Sequence, residues 1–296
     1  MAKAPRKESE VIAEVVEIEM EELILHVVGK TPLVPHAVSF KAMGSLLFPS
    51  PPKNAAERAT TMKHEPFEEF RDAAYQFRDE DEQPTRLYVP GSMFHAAVSA
   101  VALDMKGAKK AQIGRLTSVN EHKIPLWGVP EIWTTVVRSS DIARTPDVRT
   151  LPILPRWCAM FSIRYVKSLI KRQSIMNLLA AAGVIVGIGD GRPQNGKLAF
   201  GQFAIVPDND PEFKAIVALG GRKMQDAALA DPKYFDIETE RLLRWFIEEK
   251  DRRAAAPAQE RKRKANGDDL PTPEPHVIEQ PRARARGRGR RMTARG

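Results

Sequence analysis

VIVGIGDGRPQNGKLAFGQFAIV, residues Val184 to Val206, places Gly187, Gly189, Gly191, Gly196 and Pro193 between an apolar, helix-like run and a strand-like run. Glycine reaches backbone angles that other residues avoid and lets a partner approach the main chain. Arg192 and Lys197 add positive charge to the same segment. Two readings follow. One is a loop whose backbone N–H groups hold a nucleic-acid phosphate backbone, with both cations as counter-charges. The other is a long turn in which Asp190 and Arg192 satisfy each other.

Outward from this loop, the sequence yields an ordered set of elements. Ile24–Val28 is the clearest part of a first strand, and Gly29, Pro32 and Pro35 follow it. Ser39 caps a short helix to Leu47. Asn54–Phe77 is polar with helical turns, interrupted at Pro66, and Arg78–Pro84 is an acidic surface loop. Ser92 caps a helix from Met93 to about Met105, whose apolar residues recur at helical spacing. Ile124–Arg138 reads as strands around Pro130, and Asp141–Pro155 reads as a loop. In Arg156–Val166, Trp157, Ala159, Phe161, Ile163 and Tyr165 fall on one face, opposite Met160, Ser162 and Arg164. Ser174–Ala182 is a helix ended by Gly183, and Phe200–Val206 is a last strand. Helices over Pro211–Ala230 and Asp236–Arg253 complete the body. The second carries Ile237, Leu242, Leu243, Phe246 and Ile247 on one side.

The order β-α-β-β-α-β, with a long insertion after the first strand, is the ferredoxin-like plan of an α+β protein. The expected divisions are an arm over 1–10, a core over 11–206, a helical extension over 207–253 and a disordered Arg-rich tail over 254–296. That tail is too poor in apolar residues to offset the entropy of ordering it.

The chain has 296 residues and a net charge of +8. Residues 251–296 hold thirteen Arg/Lys against six Asp/Glu, so nearly all the excess lies in the tail. Within it, Arg261, Lys262, Arg263, Lys264, Arg282, Arg284, Arg286, Arg288, Arg290 and Arg291 form dense basic runs. Such runs bind phosphates by counterion release, without sequence specificity; a solubilising tail or a protein-binding arm is the alternative. Arg164, Lys167, Lys171 and Arg172 offer a further phosphate surface, with Trp157 or Tyr165 for base stacking. A solvated strand face backed by core aromatics is the other reading.

The lone Cys158 excludes a disulfide framework and a Cys-rich zinc site, and suggests a reducing, cytoplasmic setting. No apolar run nears the roughly 20 residues of a membrane helix, and the charged start MAKAPRKESE leads into no signal core. No cofactor motif is present: Gly187, Gly189 and Gly191 follow a helix and do not make a dinucleotide fingerprint. The histidines show no metal-ligand spacing. His36 or His95 could serve as the general base of a ribonuclease, but a structural role for each is the simpler reading.

Three segments, His26–His36, Pro90–Ala97 and Gly187–Phe203, resemble motifs shared by a group of uncharacterised bacteriophage proteins. A weaker resemblance is to the RAMP superfamily of CRISPR RNA-binding proteins, ferredoxin-like proteins whose glycine-rich loop is denser in glycine and basic residues than this one. The glycine loop and the arginine tail together point to a non-catalytic protein that binds single-stranded DNA or RNA, and the RAMP resemblance implies subunits lined up along the strand as a homo-oligomer. Coating or annealing strands in phage replication is the expected role. A virion assembly protein and a RAMP-like RNA-binding protein or endoribonuclease are the alternatives.

Overall fold

Alternation builds the first strand. β1 (Met20–Gly29) buries Leu23, Leu25 and Val27 and leaves Glu22 and Ile24 exposed on the other face, the period of two that a strand imposes. The computed structural model describes residues 17–48, 64–138, 144–195 and 198–265. The chain divides into two units after Lys250, and the sheet belongs to the first. The expected arm over 1–10 lies outside the described residues.

The architecture is α+β, an antiparallel sheet with helices. Its other strands are β2 (Tyr88–Pro90), β3 (Thr117–Val119), β4 (Lys123–Trp127), β7 (Cys158–Val166) and β8 (Phe203–Val206). They lie in the order β2-β4-β7-β1-β8, with β3 also paired to β7. β1 runs antiparallel to both neighbours, with Leu23 opposite Ile163 and Val28 opposite Ala204. β5 (Glu131–Arg138) and β6 (Pro146–Ile153) form a separate two-stranded sheet.

The strands expected around Pro130 are β4 and β5, and they belong to two different sheets because Gly128 turns the chain at φ 135°. One correction concerns this region. Much of the expected loop Asp141–Pro155 is β6. Its Leu151 and Ile153 pack with Val34 and Ala73, and this burial outweighs the local Pro and Asp content.

Helices cover one face of the sheet. α1 (Phe40–Leu47) starts at Ser39, whose Oγ accepts from the Ala42 N–H at 3.1 Å, as expected of a cap. α2 (Pro66–Asp72) begins at Pro66. The proline expected to interrupt a helix opens one, since its missing N–H is an orphan in the first turn anyway. α3 (Gly91–Val101) starts two residues before the expected start and lacks a Ser92 cap; Ser92 lies in its first turn. α4 (Lys110–Leu116) follows, then α5 (Arg172–Ala181), continued by a π-helical turn, Ala182–Val186. Phe94 of α3 stacks on Phe161 of β7 with centroids 4.2 Å apart and meets Phe203 of β8 edge-on at 5.4 Å. Such pairs add about 0.5–1.5 kcal/mol beyond the area they bury.

The expected helix Pro211–Ala230 is two, α6 (Pro211–Leu219) and α7 (Arg222–Ala230). The break falls where the Gly220 carbonyl accepts from the Gly128 N–H at 3.1 Å. α6 covers one end of the sheet's second face, where Phe213 and Ile216 meet Val28, Trp127 and Cys158. α8 (Ile237–Ala265) outruns the expected Arg253, so residues 254–265 of the expected disordered tail are helical. Of its expected apolar stripe only Leu243 is fully buried, while Ile237 and Leu242 are exposed. Among the described residues no helix is long and apolar enough to cross a membrane.

Candidate functional site

The segment after β1 and the glycine loop are stitched together by their backbones. The Gly201 N–H donates to Pro32 O at 2.7 Å, Asp190 N–H to Val34 O at 2.9 Å and Lys30 N–H to Gln202 O at 2.8 Å. Inside the loop, Ile188 N–H donates to Gly201 O at 3.0 Å. Gly187, Gly189, Gly191 and Gly201 all have φ between 66° and 77°. At Gly189 a Cβ would stand 2.7 Å from Val34 O, and at Gly201 it would overlap Ile188 O. Only glycine fits where the two segments pass this closely.

The loop is therefore a folded wall, and it faces the start of α3 across a groove of about 500 Å³. His36 comes from the segment after β1. Ser92, Met93 and Ala97 come from α3, and Gly189, Asp190, Arg192 and Gln194 from the loop. All three segments quoted for the phage resemblance thus converge on one concave site, although they are far apart in sequence.

The polar groups in this groove are paired differently from the expected Asp190–Arg192 contact. His36 Nδ1 donates to Asp190 Oδ2 at 3.1 Å, and the Gly191 N–H donates to Asp190 Oδ1 at 2.9 Å. The bond from the His36 ring, reinforced by that N–H against partial burial, holds the Asp190 carboxyl below the ordinary carboxylate range. Arg192 instead donates to Gly189 O at 3.0 Å and to Gln194 Oε1 at 3.2 Å. Its guanidinium is thereby fixed by a carbonyl and an amide, and among the described residues it forms no ion pair. Gly196 and Lys197 lie outside the described residues.

The other expected positions separate. Arg164 is exposed on the sheet face opposite the buried aromatics, beside Glu22 and Ser118 in register. Trp157 and Tyr165 are fully buried, so the expected base-stacking surface does not form. Lys167, Lys171 and Arg172 are exposed beyond the end of β7, and Lys167 lies 3.8 Å from Glu19. Arg261, Lys262, Arg263 and Lys264 lie in α8, and Arg282–Arg291 fall outside the described residues.

The histidines also sort themselves. His95 Nε2 lies 3.1 Å from Gly114 O and 3.0 Å from Thr117 O, where its N–H ties α3 to the end of α4, and His95 is not among the groove residues. His64 is held between Glu69 Oε1 at 2.7 Å and Asp147 Oδ1 at 2.9 Å, tying α2 to β6. His36 alone of the two proposed bases faces the groove. Its pairing with Asp190 went unread because the two are 154 residues apart. Ser92 and Met93 read in the sequence only as a helix start, and Gln194 only as part of the loop; the signal for a shared site is that three motif-like segments invite a common location. Among the described residues no group of three His, Cys, Asp or Glu side chains could hold a metal ion.

No family model matches the chain, and no curated protein matches it. Among solved structures it is similar to a chain of the Type III-B Cmr-beta complex bound to cognate target RNA, at 15% identity and a TM-score of 0.31. That match covers 64% of this chain and 59% of the other, so the chain spans about three-fifths of that relative's length. It is also similar to Cmr6 from Pyrococcus furiosus, at 10% identity and a TM-score of 0.28, covering 64% of this chain and 100% of the other. The resemblance to these Cmr proteins is weak, and at these scores it carries no argument about what the chain does.

Proposed function

We propose that this chain is a ferredoxin-like RNA-binding protein whose groove between α3 and the glycine loop holds a single-stranded RNA backbone. The observation that carries the reading is the convergence of three separated segments on one groove walled by close-packed glycines. Arg192, fixed in direction and without an ion pair among the described residues, supplies a charge-assisted bond to a phosphate. Asp190 and Gly189 O present acceptors, which repel a phosphate but take a hydrogen bond from a hydroxyl. A 2′-hydroxyl is the donor that RNA has and DNA lacks. The basic residues beyond the body add affinity without specificity.

The test is binding of fluorescent single-stranded RNA and DNA of matched sequence. Arg192→Ala should weaken RNA binding by about 10- to 100-fold, the loss of a hydrogen bond to a charged group. Asp190→Asn should narrow the RNA preference over DNA. Unchanged binding by both variants would remove the groove from the function. Strand coating or annealing in a phage setting stays an expectation of the sequence; nothing in the groove argues for it.

One observation favours a second reading, an endoribonuclease. With Asp190 holding the Nδ1 proton, the lone pair of His36 resides on Nε2, the form a general base needs. Cleavage of RNA that disappears in His36→Ala while binding persists would establish it. Intact RNA after long incubation with the unaltered chain would dismiss it.

A further inference from the structure

From the C-terminal end of α3 back along its flank, where α4 returns to bring Gly114 beside His95, two distant segments bring like charge together. Lys109, Gln112 and Arg115 line a cleft of about 400 Å³ that Leu169 closes. Leu169 also lines a neighbouring cleft of about 320 Å³ with Lys106 and Asn177. Lys106, Lys109, Lys110, Arg115, Lys171 and Arg172 are all exposed, and residues 103–116 and 167–174 carry a single carboxylate, Asp104. Among the described residues none of the six forms an ion pair, whereas the adjacent Lys167 has Glu19. Lys171 and Arg172 also begin α5, where the helix dipole disfavours cations. Charges kept together against both mutual repulsion and a dipole fit a polyanion.

We infer that this patch is a second contact surface for the backbone of the same single-stranded RNA, engaged once the strand is long enough to run from the groove along α3. This rests on the groove reading. α3 has 11 residues and so spans about 16 Å at 1.5 Å per residue, the reach from its start at the groove to the end that Lys106 and Lys109 follow. The patch therefore serves strands longer than the groove holds. Leu169 gives the ribose or base an apolar rest between the cations.

The experiment uses the full chain with oligouridylates of 6 and 30 nucleotides across a salt series. The triple variant Lys109→Glu, Arg115→Glu, Lys171→Glu should lose at least 10-fold in affinity for the 30-mer. Its slope of log affinity against log salt should fall by about 0.7 for each phosphate left without its cation. Affinity for the 6-mer should change less than 2-fold. The charge-keeping set Lys109→Arg, Arg115→Lys, Lys171→Arg should bind the 30-mer normally. A triple variant that keeps both the 30-mer affinity and the slope overturns the patch, and an acidic protein partner would give that result. Failure of the groove reading looks different: Arg192→Ala would then leave 6-mer binding unchanged. Thermal unfolding of each variant checks that these exposed changes leave the fold intact.

Discussion

Gly189 and Gly201 each combine a left-handed backbone with a close carbonyl. Alanine at either position must adopt a strained φ and push back a neighbouring strand of chain. Gly189→Ala should cost about 1–3 kcal/mol, and Gly201→Ala more, because its Cβ would overlap backbone that cannot move independently; urea denaturation measures both. Asp190 gives a pH signature. Its folded carboxyl titrates below the ordinary 3.8, so its contribution to stability is complete above that value and is lost as pH falls through the lower folded value. The dependence below pH 4 should flatten in Asp190→Asn, as unfolding midpoints against pH will show. Cys158 titrates in the other direction: burial pushes its thiol up to about 12. It should resist iodoacetamide at pH 8 in the native state and react on unfolding. At this scale the sequence exposed the glycines and Arg192, because their types are unusual in context. It hid the partner of Asp190, because a hydrogen bond across 154 residues leaves no local trace.

Elements were legible where periodicity and burial agreed. β7 alternates as its sequence says, and α3 and α5 fall within a few residues of their expected limits. Misreadings came where tertiary packing overrode local composition. The β5–β6 sheet forms through residues that look like a loop, because Leu151 and Ile153 gain a core. The C-terminal helices break at Gly220, where the backbone of Gly128 presses close. Within α7, the fully buried Gln225 ties the helix to the backbone of its neighbours. Its Oε1 accepts from the N–H groups of Arg86 and Leu87 at 2.7 and 3.0 Å, and its Nε2 donates to Leu126 O and Gly128 O at 2.7 and 2.8 Å. Gln225→Ala would strand four backbone groups, each costing about 1–3 kcal/mol when buried unpaired. A loss of about 3 kcal/mol or more in chemical denaturation is expected, and less than about 1 kcal/mol would show that water replaces the amide.

Across the whole molecule, charge is distributed by role. The body holds a groove with one fixed arginine, and most of the net charge follows Lys250. Two kinds of binding should therefore separate. Bonds from the basic C-terminal run are sensitive to salt and indifferent to the sugar, whereas those in the groove distinguish ribose from deoxyribose. The most direct measurement compares 12-nucleotide RNA and DNA of the same sequence at rising salt, using the full chain and a chain ending at Ala265. The shortened chain should bind more weakly and with a shallower salt slope, yet keep its preference for RNA, and Arg192→Ala should weaken what remains by about 10- to 100-fold. Equal binding of RNA and DNA, or loss of all binding with residues 266–296, would contradict a ribose-reading groove.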